Sequence, residues 1–290
     1  MFKNIAELVN QAEVENKKIY ELMLEQEIEE SDRSREEILS IMRRNFKVMK
    51  NAVARGIQGV NSHSGMTGGD AQKLYAYLQK GDLITDPTYV RALCYAIATN
   101  EVNASMGVIC ATPTAGSSGV LPGVLLAVQE KYELTDEQVI LHLFTAGAFG
   151  YVIANNAFIS GAAGGCQAEI GSASAMTAAA LTEMLGGTPR QAAHAMALAL
   201  KNLLGLTCDP LGGLVEVPCI KRNAAGASHA MMASEMALAG IESKVPWDEV
   251  IAAMYQIGQA LPQSLRETSI GGLAATETGK RWKAEISSLT

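Results

Sequence analysis

Aromatic residues are scarce in this 290-residue chain, at 5% of positions, and alternating β-branched runs are nearly absent. The first shortage shifts the apolar content onto Ala, Leu, Met and Ile, which are good helix formers; the second leaves no clear strand signal. An all-α, multi-helix fold is therefore expected. Charge is sparse too: 18% of residues are charged against 48% hydrophobic, a composition far from disorder. The net charge of −7 offers no basic footprint, which argues against a nucleic-acid partner. No Cys-x-x-Cys pair occurs, so zinc-ribbon and ferredoxin patterns are both missing. The five cysteines form no paired framework and the N-terminus lacks a signal-peptide pattern, so a reducing cytoplasm is expected. The longest charge-free run, residues 138–168, carries His142, Asn155, Asn156 and several glycines. A membrane span needs about 20 mostly apolar residues without that polar load. The run reads instead as a buried helix followed by a tight glycine loop, with no membrane partner.

What is present reads as helices joined by glycine loops. Ser34-Arg-Glu-Glu37, Thr135-Asp-Glu-Gln138 and Thr188-Pro-Arg-Gln191 are capping boxes, the last with Pro189 at the favoured first helical position. Pro246-Trp-Asp-Glu-Val starts a further helix. No internal repeat and no Pro/Ser linker divides the chain. One helical domain over 1–290 is expected, with residues 1–60 as amphipathic outer helices and 61–290 as the core that carries the site. Four loops are rich in glycine and hydroxyls: 61–70, 111–119, 160–167 and 207–213. Glycine lets backbone amides approach a ligand closely, and loops on a rigid scaffold are where binding groups sit.

Three cysteines fall in such small-residue surroundings: Gly165-Cys166-Gln167, Thr207-Cys208-Asp209-Pro210 and Pro218-Cys219-Ile220. Thiolates are soft ligands suited to iron–sulfur clusters, zinc or copper. The plain alternative is three small buried hydrophobes. Cys94 and Cys110 are read as core. Among titratable residues, His63 stands between two serines in a glycine loop. It suits proton transfer near neutrality, or else orders its own turn. Ser62, Ser64, Thr67, Ser117 and Ser118 are candidate donors to a substrate carboxylate, although each alone is more often a turn residue. Asp70 and Glu169 are weaker candidates for a substrate ammonium. Lys221-Arg222 attracts a carboxylate or is a solvated pair. His229 suits helix packing or a supporting role, His194 a helix face, and His142 the core.

Four segments together resemble the α chain of bacterial iron–sulfur L-serine dehydratases (L-serine ammonia-lyases). They are Ser62-His-Ser-Gly-Met-Thr-Gly-Gly69, Ala111-Thr-Pro-Thr-Ala-Gly-Ser-Ser-Gly119, Gly164-Gly-Cys-Gln-Ala-Glu-Ile-Gly171 and the run from Asn202 to Cys219. The resemblance implies a helical catalytic domain with a four-iron four-sulfur cluster on Cys166, Cys208 and Cys219. It also implies dehydration of L-serine to aminoacrylate and then pyruvate and ammonia, within amino-acid degradation and gluconeogenesis and without pyridoxal phosphate. A β chain is implied as heterodimer partner, since the sequence ends at Thr290 with no segment that reads as a β-type domain; self-association of the α chain is a further expectation. Two other readings use the same thiolates: a cysteine desulfidase, and a non-catalytic iron–sulfur redox sensor with Cys110 or Cys94 as a fourth ligand.

Overall fold

The computed structural model describes residues 2–288. Among them lie thirteen α-helices and no strand, as composition foretells. In chain order they are α1 (Ile5–Glu15), α2 (Ile19–Ser31), α3 (Arg35–Ile57), α4 (Asp70–Lys80), α5 (Pro87–Ala104), α6 (Val120–Tyr132), α7 (Asp136–Asn156), α8 (Gly161–Gly164), α9 (Ser172–Met184), α10 (Pro189–Lys201), α11 (Cys219–Leu238), α12 (Trp247–Ala260) and α13 (Glu277–Ser287). The three capping boxes open α3, α7 and α10, with reciprocal side-chain bonds at each. Each satisfies two amide donors that a helix start otherwise leaves unpaired.

The centre of the fold is α9, whose sequence Ser-Ala-Ser-Ala-Met-Thr-Ala-Ala-Ala-Leu-Thr-Glu-Met is apolar or small on every side. A helix without a polar face must be enclosed, and α6, α7, α10 and α11 surround it. Three of its hydroxyls bond within the protein. Thr177 and Thr182 donate to the carbonyls one turn back at 2.7 Å, and Ser174 donates to the Gly226 carbonyl of α11 at 2.9 Å. Small residues also set how near helices approach: a Cβ on Gly123 of α6 would meet the α5 backbone at 2.8 Å.

Of the first three helices, α1 and α3 are amphipathic. In α3, Ile38, Leu39, Phe46, Met49, Ala52, Val53 and Gly56 form one buried stripe at helical spacing, and it packs on α5. Two long-range carboxylates tie this layer to the rest. Asp248 of α12 accepts from the Ile5 and Ala6 amides at the start of α1, at 2.8 and 3.1 Å. Glu183 of α9 accepts from the Ile19 amide of α2 at 2.6 Å and from the Thr145 hydroxyl. Burial raises the Glu183 carboxyl above its usual range, against those bonds. By length and composition α7 could cross a membrane, but most of it is buried between α2 and α9.

After α12 the chain leaves the bundle and runs over the loop of Cys208. The Cys208 amide donates to the Leu265 carbonyl at 2.9 Å, and the Glu267 amide donates to the Cys208 carbonyl at 2.7 Å. The last helix, α13, then packs on the turn at 211–213.

Candidate active site

All three candidate ligand cysteines are buried, but only Cys208 lies in irregular chain. Cys166 leads directly into a π-helical turn, Gln167–Gly171, at the head of α9, and Cys219 is the first residue of α11. The three-loop expectation is thus corrected: two of the thiols sit at helix starts, where fixed backbone holds them. Gly165 makes the turn before Cys166 at φ +77, which favours glycine.

Burial pushes the Cys166 thiol up to about 12, with Arg222 opposing. Burial also raises Cys208 and Cys219, and the charge of Cys166 adds to the rise at both. Cys166 and Cys208 also pack together in one small buried cluster with Val120, Ile170, Ala173 and Leu203. Arg222 is the nearby cation: it pairs with buried Asp209 at 3.0 Å and donates to the Thr207 carbonyl at 2.7 Å. Burial works against its charge, but Cys166 and Asp209 outweigh it and hold the guanidinium above its ordinary value.

Carboxylates that the sequence reading underused gather here too. Glu169, on the π-helical turn, accepts from the Thr114 hydroxyl at 2.8 Å and lies 3.9 Å from the Cys208 sulfur. Its carboxyl is raised by burial, and Glu267 adds to the rise. One ligand atom each of Glu169, Cys208 and Glu267 lies within 4.8 Å of the others. The 111–119 loop thus meets the cysteine region through Thr114, and a Cβ on Gly116 would come 3.1 Å from Glu169.

The 61–70 loop reaches the same region through Glu216, three residues before Cys219. Ser64 lies 2.9 Å from both carboxylate oxygens and Thr67 lies 2.7 Å from one of them. Ser62 is 3.2 Å from the Ser64 hydroxyl. His63, between them, is exposed, and no hydrogen bond ties its ring to the described residues. The hydroxyls expected to face a substrate carboxylate therefore already hold one of the chain's own. Ser117 and Ser118 are fully buried and serve their own loop: Ser117 donates to the Thr112 carbonyl at 3.2 Å, and Ser118 accepts from Asn100 at 3.3 Å. Asp70 is taken up by Lys221 and by Lys73, so neither it nor Lys221 is a free charge.

The remaining residues fall outside this group. Cys94 is in the main core with its sulfur on the Ala71 carbonyl at 3.3 Å, and Cys110 is half-buried against that core. His142 is half-buried with Tyr20 edge-on to its ring. His194 accepts from the Ser243 amide and the Trp247 indole at 3.1 and 3.2 Å, which makes it a brace between α10 and α12 and not a bare helix-face residue. His229 is held to the Ala225 carbonyl of its own helix. A cavity of about 480 Å³ lies elsewhere, between Tyr89, Tyr132, Met231 and Leu238.

Residues 14–274 match the model of the family described as serine dehydratase alpha chain. The chain belongs to this family. It is 59% identical over 286 residues to the probable L-serine dehydratase, alpha chain, of Bacillus subtilis, covering 99% of this chain and 95% of that one. It is 44% identical over 287 residues to the L-serine dehydratase, alpha chain, of Peptoniphilus asaccharolyticus, covering 99% and 98%. The L-serine dehydratase TdcG of Escherichia coli is 38% identical over 281 residues, 94% of this chain but only 61% of its own. The serine dehydratase motifs named from the sequence are the segments that meet around Cys208, Glu169 and Glu216.

The donor set fits an iron–sulfur group. Cys166 and Cys208 share one small buried cluster, Cys219 is buried at the start of α11, and deprotonating such buried thiols is costly without a positively charged partner. No fourth cysteine joins them, since Cys94 and Cys110 both pack on the main core.

Proposed function

We propose that this chain is the α subunit of an L-serine dehydratase that converts L-serine to pyruvate and ammonia. The observation that carries the reading is the contact of Glu169 with both Cys208 and Thr114 of the 111–119 loop, together with the hold of Glu216, three residues before Cys219, on Ser64 and Thr67 of the His63 loop. Family membership, with full-length relatives named for this activity, supports it.

Cys166, Cys208 and Cys219 would hold a four-iron four-sulfur cluster. Such a group, when bound with one iron lacking a protein ligand, supplies a Lewis acid for the departing β-hydroxyl. The chain's own residues do the rest. His63, exposed in its loop, would take the Cα proton. Ser62, Ser64 and Thr67 line the loop beside it. Ser117 and Ser118 hold the neighbouring loop in shape, so that Thr114 and Gly116 stay against Glu169. Arg222 offsets the charge of the thiolates. After elimination, aminoacrylate tautomerises to the imine and hydrolyses without further need of the site.

The names of the α-chain relatives also support a β chain as partner; a reducing cytoplasm is the compartment that five unpaired cysteines suit. Anaerobic purification with iron and sulfide analysis, followed by addition of L-serine, tests the reading. Bound iron and sulfide whose visible absorbance shifts with L-serine are expected. A protein that takes up neither, or whose absorbance ignores L-serine, contradicts it.

A further inference from the structure

We infer that Glu216, with Ser62, Ser64 and Thr67, forms the subsite for the substrate's α-ammonium group and not for its carboxylate. The inference rests on the reading that this site acts on a small α-amino acid. It follows from counting protons. Each hydroxyl has one proton to donate. Ser64 spends its proton on Glu216, 2.9 Å from both oxygens, and Thr67 spends its own on Glu216 at 2.7 Å. Ser62, 3.2 Å from Ser64, is left to donate to that oxygen. The backbone amides of Met66 and Thr67 are used up as well, donating to Ser64 and Ser62 at 3.0 and 3.3 Å. None of these three hydroxyls and two amides has a proton left for a ligand. What remains is acceptor capacity: lone pairs on Glu216, Thr67 and Ser62. An ammonium group, with three donors and no acceptor, matches that surface; a carboxylate does not.

The charge balance agrees. Glu216 is 4% exposed and forms no ion pair with a described residue. Buried charges are ordinarily paired. Of the other acids of the region, Asp70 is engaged with two lysines, Asp209 with Arg222 and Glu101 with the Asp70 and Ala71 amides, while Glu169 and Glu267 lie against Cys208 and outside this cradle. Glu216 is thus a buried carboxyl side chain with no cation among the described residues, bonded to Ser64, the chain neighbour of exposed His63. An ammonium bound there would place the Cα, one bond away, next to the proposed base. It would also let the site prefer an amino acid to the matching hydroxy acid.

The test compares L-serine with L-glycerate, in which a hydroxyl replaces the ammonium, on the iron-loaded protein. Binding is read by calorimetry and by the change in visible absorbance. Glu216→Gln keeps the shape and the acceptor oxygen but removes the charge. L-serine affinity is expected to fall about 30-fold or more, as when one partner of a buried charge pair is removed, with L-glycerate affinity within about threefold of wild type. Ser64→Ala is the second variant, should the first load iron poorly: it should also weaken L-serine more than L-glycerate. Equal loss of both ligands in either variant, or loss of neither, overturns the inference while leaving the dehydratase reading intact. Wild-type protein that binds no L-serine overturns both.

Discussion

Gly161→Ala isolates the packing around Cys208. Gly161 opens α8 with an ordinary φ, so the substitution brings no backbone strain of its own. The new Cβ would lie 2.6 Å from the Cys208 sulfur and 2.9 Å from a Glu169 oxygen. Cys208 has little room to withdraw, because its amide and carbonyl are both tied to the 265–267 segment. Overpacking of this kind costs about 1–3 kcal/mol. With an unfolding entropy of about 2.1 cal/mol/K per residue, that is a drop in Tm of about 2–5 °C for a chain of this length. Gly147→Ala, inside α7 with nothing within 4 Å of its Cβ, is the control. It should gain about 0.8–1 kcal/mol of helix propensity and melt about 1–2 °C higher. Circular-dichroism melts of the iron-free proteins in reductant test the packing, and the iron-to-protein ratio after anaerobic reconstitution tests the consequence. Gly161→Ala should melt lower and load less iron. A variant that melts with wild type and loads fully would refute the reasoning.

Cys166→Ala, Cys208→Ala and Cys219→Ala should each lose bound iron and activity while Cys94→Ala keeps both, as iron analysis would show; full iron in any of the first three removes that residue from the ligand set. Burial holds the Cys94 thiol at about 12 in the fold, so on raising pH the unfolded chain loses this proton first, from about pH 9, and the fold is destabilised from there up to pH 12. That amounts to about 1.4 kcal/mol per pH unit for the one thiol; urea midpoints of the iron-free protein should fall less steeply with pH in Cys94→Ala, and parallel slopes would contradict the assignment. His63→Ala should keep its iron and lower turnover by about 10²–10⁴-fold, the range of a general base; a near-wild-type rate in the loaded variant would return His63 to a turn-ordering role.

Local features were the legible ones. The capping boxes at Ser34, Thr135 and Thr188 involve residues three apart, so sequence spacing alone carries them. The enclosed character of α9 follows from its lack of a polar face. The site was legible as a set of residue types but not as a set of partnerships. The Glu216 contacts to Ser64 and Thr67 span about 150 residues, and Glu267 meets Cys208 from a segment nearly sixty residues on. No local pattern encodes such contacts. A faint signal existed at Glu216, a lone charge in the otherwise uncharged run from Leu211 to Ile220. The hydroxyls of Ser62, Ser64 and Thr67 were found for the right loop, yet the polarity of their cradle depends on where each proton goes. Only the position of Glu216 decides that.

The most direct test of the central claim is anaerobic turnover of L-serine by the iron-loaded chain together with its β chain, with pyruvate and ammonia both measured. The account expects the two products in equal amounts, at a rate that the β chain raises and that Cys208→Ala abolishes. No pyruvate from fully loaded protein, or the same rate from the Cys208→Ala variant, would contradict it.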